Sequence, residues 1–221
     1  MILGLAYDLK SDILSGDSDA DDALEEYDSE ETVDCIADAL ASLGHTVVRL
    51  GGGKAFLTAV LSHTMDLVFN IAEGRGTYRS REVQVPAVLE MLNIPYIGSD
   101  PACLAVCLDK PLAKHLAASA GIGTPRWQLA ADRHVLDGGC WSGFTFPVFV
   151  KPAWEGSSKG IGITSRANSV PEMERSPPPA RPVSPAGAGG RIHPGERAYR
   201  GHCGRPAPGD GHHGGDTPPW V

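Results

Sequence analysis

The sequence predicts an α/β fold whose amino-terminal part is a parallel sheet, and three observations carry that prediction. Strand and helix signals alternate from Ile2 to Gly98. The candidate strands are short apolar runs, the pattern of strands covered on both faces. The composition then breaks near Arg175, which bounds the folded part.

Ile2 to Tyr7 reads as the first strand. Glu30 to Leu43 reads as a helix with Val33, Ile36, Ala37, Leu40 and Leu43 on one face, and Gly44 stops it before a second strand, Thr46 to Leu50. A helix over Lys54 to Ser62 leads to a third strand, Asp66 to Ile71. A further helix from about Val83 to Leu92 precedes Pro95-Tyr-Ile-Gly98. Ligands of such sheets gather where the strands end, and those ends carry Asn70, Glu73, Gly74, Gly98, Ser99 and Asp100.

The 221 residues carry a net charge of −8, which argues against a nucleic-acid partner because no basic face is available to neutralise phosphates. Much of the acid lies between Asp8 and Glu31 and reads as a solvated loop; it lacks the spacing and glycine of a calcium loop, so no metal ligands are assigned. Cys35, Cys103, Cys107, Cys140 and Cys203 are odd in number, and Cys103 and Cys107 in an apolar helical stretch read as buried thiols. With no basic leader and no apolar run long enough to span a bilayer, the expected setting is the reducing cytoplasm, with no membrane partner.

The stretch from Phe146 to Gly160 carries the most chemistry. Val148, Phe149 and Val150 read as a short buried strand that fixes Lys151. Gly156 and Gly160 then let the backbone N–H groups of Ser157, Ser158 and Lys159 turn toward one anion. Ile161 to Thr164 reads as a second strand, so the context is strand, loop, strand and not the helix-opening loop of the Walker pattern. A tight hairpin using Gly, Ser and Lys for turn chemistry alone is the competing reading.

Five blocks in order then resemble the D-alanine–D-alanine ligases and their relatives among the ATP-grasp enzymes. They are Asn70-Ile-Ala-Glu-Gly74, Glu90 to Ser99, Leu108-Asp-Lys110 with Lys114, Thr124-Pro-Arg126, and Phe146 to Gly160. The resemblance covers roughly residues 60 to 167. It implies a substrate domain over residues 1–100 and a partial ATP-grasp subdomain over 101–174. It also implies ATP and Mg²⁺ as cofactors and small-molecule substrates, D-alanine or another amino acid, in a protein that is commonly a dimer. One carboxylate would be phosphorylated by ATP and the resulting acyl phosphate attacked by an amine. Lys110 and Lys151 match the family lysines that contact ATP phosphates. Glu155, Gly156, Ser157, Ser158 and Gly160 match the loop that closes over the reacting groups, with Ser157 carried over as catalytic. The chain departs from the family where His-Gly and Gly-Glu-Asp-Gly are usual and Ala72-Glu-Gly-Arg-Gly-Thr-Tyr-Arg79 stands instead. Glu30 and Glu31 are candidates for the grip on the first substrate's amine, or are simply helix-capping acids.

From Arg175 to Val221 about twenty of forty-seven residues are Gly or Pro, and Leu, Phe and Lys are absent. Ordering such a segment costs roughly 1.5 kcal/mol per residue with little apolar area to offset it, so 175–221 is expected to be disordered. The adenine hinge and the late acid and asparagine set that the resemblance implies for Mg²⁺ are not found there. Truncation or a +1 frameshift after about residue 174 would explain the break, and a natural Arg-rich tail is the alternative. An inactive chain is the expectation.

Overall fold

The computed structural model describes residues 1–13, 22, 24–129 and 144–175. The expected disorder of 175–221 therefore lies almost wholly outside the described residues. Four parallel strands, β1 (Ile2–Ala6), β2 (Thr46–Gly51), β3 (Leu67–Asn70) and β4 (Tyr96–Ile97), form a sheet in the order β2-β1-β3-β4. Leu3 pairs with Val47 on one side and Leu67 on the other, so β1 is central.

Side-chain alternation along β1 feeds two cores, one on each face. Leu5 and Tyr7 join Val33 and Ala37 of α1 (Glu30–Ser42). Ala6 joins the opposite cluster, with Phe56 and Val60 of α2 (Gly53–Ser62) and Val85 and Leu89 of α3 (Gln84–Met91). Helices on both faces are what the alternating pattern predicted. Gly4 allows the close approach: a Cβ there would lie 2.5 Å from the Met65 sulfur and 2.7 Å from Leu50 Cδ1. The Ser29 side chain caps α1 by accepting from the Thr32 amide at 3.1 Å, and Gly44 follows at φ +87°. Leu43 departs from its expected buried face and is 71% exposed, because the helix ends at Ser42, before it.

Asp100 caps α4 (Pro101–Leu108) and Asp109 caps α5 (Lys110–Ser119), with Pro101 first in α4 and Pro111 second in α5. Beyond residue 144 the chain forms a small antiparallel pair, β5 (Val148–Phe149) with β6 (Arg166–Ala167), packed on α6 (Val170–Arg175) through Met173 and Ala167.

Two strand expectations are corrected here. Val148 to Val150 is not a fully buried strand: only two residues pair, and Phe149 is 58% exposed on a two-stranded edge. Ile161 to Thr164 is not a strand either. A 3₁₀ turn spans Ile163–Ser165, Ile163 is fully exposed, and the partner of β5 begins at Arg166. Gly160, at φ +71°, redirects the chain before the apolar alternation can pair.

Candidate functional site

The first turn of α5 and the end of β5 bring Lys110 and Lys151 to one cavity of about 620 Å³, shared with Lys114, Trp127, Phe144 and Phe149. That volume suits a small-molecule ligand. Lys110 is held tightly: its backbone N–H donates to the Ala153 carbonyl at 3.1 Å, and its Nζ donates to the Glu155 carbonyl. Burial lowers the Lys110 pKa first, and the neighbouring Lys151 charge lowers it further. Two cations that sense each other across one cavity favour a polyanionic ligand, although the Glu155 and Glu26 charges offset part of their repulsion.

The loop after Lys151 is a tight turn. The Lys159 amide donates to the Gly156 carbonyl at 2.9 Å, and Ser157 and Ser158 take φ values of +44° and +63°. Two positive-φ central residues closed by that bond make the pattern of a type I′ turn, here without the usual Asn-Gly. Non-glycine residues in that region store backbone strain, which is commonest at functional loops. Ser157 and Ser158 are exposed, and their amides donate no hydrogen bond to the described residues. Of the three amides expected to face an anion, the Lys159 amide is consumed in the turn, while those of Ser157 and Ser158 bond to no acceptor among the described residues.

The base of the loop is gripped by the acidic segment. Glu26 Oε1 accepts from the Gly156 amide at 2.5 Å, and Asp22 Oδ2 accepts from the Gly160 amide at 2.5 Å. Glu26 also receives Arg81 Nη2 at 2.7 Å on both oxygens and lies 3.6 Å from Lys159 Nζ. Arg81 Nη1 donates to the Trp154 carbonyl at 2.9 Å, and Glu155 pairs with both Arg81 and Lys159 at 3.2 Å. Glu155 therefore braces the loop through cations of this chain.

The solvated-loop reading of Asp8 to Glu31 is accordingly corrected at two positions, since Asp8 is 1% exposed and Glu26 is 6% exposed. Asp8 is buried because Arg75 Nε pairs with it at 2.6 Å and the Gly74 amide donates to it at 2.9 Å. Sequence reasoning missed Glu26, Arg81, Asp8 and Asp22, because nothing local distinguishes them within an acidic run or a polar loop. Glu30 and Glu31 sit exposed in the first turn of α1, where they complement the helix dipole, and neither takes part in the hydrogen bonds that hold the loop.

Glu73 follows β3 at the sheet's carboxyl end, as expected. Its carboxyl is pushed up to about 7, by burial first and then by the charges of Glu82 and Glu26. Asn70 turns its Oδ1 back onto the Ala72 amide at 3.2 Å, and Asp100 accepts from the Cys103 amide at 2.7 Å as a helix cap. Cys103 and Cys107 are not buried thiols: both are exposed on α4, with sulfurs 3.9 Å apart. The i, i+4 spacing puts them on one face, and that face points outward. Among the described residues no group of three or more His, Cys, Asp or Glu is arranged to hold a metal ion. No helix among them is long and apolar enough to cross a membrane.

No family model matches the chain. Over 142 residues, 64% of its length, the chain is 35% identical to the D-alanine–D-alanine ligase of Aquifex aeolicus strain VF5, and the match covers 47% of that protein. Over 139 residues it is 37% identical to D-alanine–D-alanine ligase B of Pseudomonas putida KT2440, covering 62% of this chain and 41% of the relative. In fold it is similar to the D-alanine–D-alanine ligase of Bacillus anthracis, at a TM-score of 0.53 and 23% identity, over 78% of this chain and 51% of that one. The chain thus spans just under half the length of the curated relatives it matches. In sequence and in fold the chain is similar to D-alanine–D-alanine ligases, and it corresponds to part of their length.

Proposed function

We propose that residues 1–174 form the substrate domain (1–100) and first nucleotide-binding subdomain (101–174) of an ATP-dependent carboxylate–amine ligase. One observation supports this reading above the others: Lys110 and Lys151 reach the same cavity from separate elements, and the chain runs on from Lys151 into a strained turn at Ser157 and Ser158 that lies outside the cavity lining. Paired cations suit phosphoryl oxygens, whose charge grows and spreads during transfer, and the reading has the loop close over them. ATP is the substrate this reading assigns to the cavity, with Glu155, Gly156 and Gly160 shaping the loop and the Ser157 hydroxyl at the reacting group.

In the reaction so assigned, a substrate carboxylate oxygen attacks the γ-phosphorus and ADP leaves. An amine then attacks the acyl phosphate carbon, forming the C–N bond and releasing phosphate. The donor set of the described residues does not fit Mg²⁺, so no step is assigned to the ion here. From the composition break near Arg175 we further propose that this polypeptide binds nucleotide without completing peptide synthesis and that its tail is out of frame.

Calorimetric titration with ATP tests the reading: binding is expected, and Lys151→Ala should weaken it at least about tenfold through loss of a phosphate contact. Absence of binding, or indifference to Lys151→Ala, would overturn it. Release of ADP at ligase-like rates with D-alanine and Mg²⁺ would overturn the inactivity. Translation of the gene in the +1 frame after about codon 175 tests the tail, and a frame without ligase-like text ends the frameshift reading.

A second reading concerns the amino acid. Glu73, titrating near neutrality where the ligases have His-Gly, favours a substrate pair other than two D-alanines. A panel of amino acids assayed for ADP release in frame-restored protein separates the two. A cytoplasmic setting is part of the proposal and agrees with three free, exposed thiols at Cys35, Cys103 and Cys107. A dimer with a second copy, or a non-catalytic fragment pairing with an intact relative, is the remaining alternative; co-purification tests it.

A further inference from the structure

Asp22 and Glu26 each accept a hydrogen bond from a glycine amide of the loop, at Gly160 and Gly156, both at 2.5 Å. The two carboxylates come from one short segment and flank the turn on either side. Lys159, whose charge would serve an anionic ligand, lies 3.6 Å from Glu26 and 3.2 Å from Glu155. Lys110 Nζ is likewise occupied, by the Glu155 carbonyl. Among Lys110, Lys151, Lys159 and the described amides of the loop, the Ser157 and Ser158 amides and Lys151 can meet a phosphate without first giving up a hydrogen-bond or ion-pair partner.

We propose that Asp22 and Glu26 form a carboxylate latch that occupies the base of the 156–160 loop and competes with the phosphates of an incoming polyanion. The inference rests on the nucleotide reading above and adds a regulatory contact to it. Carboxylate oxygens satisfy the same N–H groups and neutralise the same ammonium that a phosphate would, so the two occupants exclude each other electrostatically. The loop must release Asp22, and loosen Lys159 from Glu26, before it accepts a triphosphate, so the apparent affinity is reduced by the fraction of chains in which the latch is open. Glu26 stays anchored by Arg81 and keeps the latch poised to re-form.

The test uses the full chain and two probes, ATP and inorganic tripolyphosphate, titrated calorimetrically into wild type and Asp22→Asn. Asp22→Asn is the informative variant because it removes one charge at a solvent-accessible contact, whereas Glu26→Gln also strips Arg81 of its counter-charge and so probes folding. Asp22→Asn is expected to bind both probes about three- to tenfold more tightly, the scale of one ordinary net hydrogen bond, because the contact is solvent-exposed. In amide exchange of the ligand-free proteins, Gly160 should exchange faster in Asp22→Asn than in wild type, because the carboxylate acceptor of its N–H is weakened. Equal or weaker binding by Asp22→Asn, or Gly160 exchange that the substitution does not quicken, overturns the latch and leaves the nucleotide reading standing. Absence of binding by both proteins overturns the two together.

Discussion

Arg81 places its Nη2 2.7 Å from each carboxylate oxygen of Glu26, and the two side chains are 3% and 0% exposed. This pair ties the turn before α3 to the acidic segment. Through the Trp154 carbonyl and Glu155, it also ties both to the loop that follows Lys151.

Removing one partner of such a pair leaves the other charge buried and unpaired. Arg81→Leu is expected to destabilise the fold by about 3–5 kcal/mol, read as a lower urea midpoint at unchanged slope. The Arg81→Leu/Glu26→Leu double variant should recover part of that loss. A strictly additive double-mutant cycle would show that the pair is not coupled.

Gly74 sits at φ +82°, and a Cβ there would lie 2.0 Å from the Arg81 carbonyl oxygen. Backbone cannot yield as a flexible side chain can. Gly74→Ala should therefore cost at least about 2 kcal/mol, from positive-φ strain and forced displacement of the Arg81 turn. Thermal unfolding checks it, and a melting temperature within a degree of wild type would contradict the geometry.

Glu73 predicts a pH dependence whose sign is fixed. Its folded pKa, raised from 4.5 to about 7, stands above its unfolded value, so the stability it contributes is full below about pH 4.5 and is lost as pH rises through about 7. Glu73→Gln should abolish that loss and be the more stable protein at pH 8, by about 1 kcal/mol after allowance for solvent screening of a half-buried group. Denaturation midpoints at pH 5 and pH 8 measure it. Parallel pH profiles for the two proteins would refute it.

Ser158 holds φ +63° without the freedom of glycine. Ser158→Gly should raise stability by about 0.5–1 kcal/mol, because a type I′ turn favours glycine there. If the strain serves ligand binding, the same variant should bind ATP more weakly. Stability and affinity moving together in the variant would show that the strain has no functional purpose.

The exposed thiols give a chemical check. Cys35, Cys103 and Cys107 should react with a thiol reagent in the native protein, Cys107 more slowly because its hydrogen bond to Cys103 raises its pKa. Protection of Cys103 and Cys107 in native buffer would restore the buried reading.

Most strands and helices of the parallel sheet were legible because each is announced locally. Apolar runs, Ser29 and Gly44 at the ends of α1, and Asp100 and Asp109 before proline all act within a turn of the chain. The hairpin near Lys151 was less so. Gly-Ile-Gly-Ile looks like a strand by alternation, but pairing depends on where Gly160 sends the chain. Lys110, Lys151 and the serine loop stood out by motif, whereas Glu26, Arg81, Asp8 and Asp22 did not, since their partners lie from 55 to 138 residues away.

The sequence by itself determined the α/β alternation, the relationship to the ligases, and the pair of lysines with their serine loop, because those signals are carried by adjacent residues and by motif order. Only the tertiary structure decided which carboxylates of an acidic run are buried. Two of them meet Arg75 and Arg81 across the fold, and burial of a charge is favourable only where a distant partner compensates for the lost hydration. The same long-range pairing decided that the loop's glycine amides are already occupied, a fact no local pattern encodes.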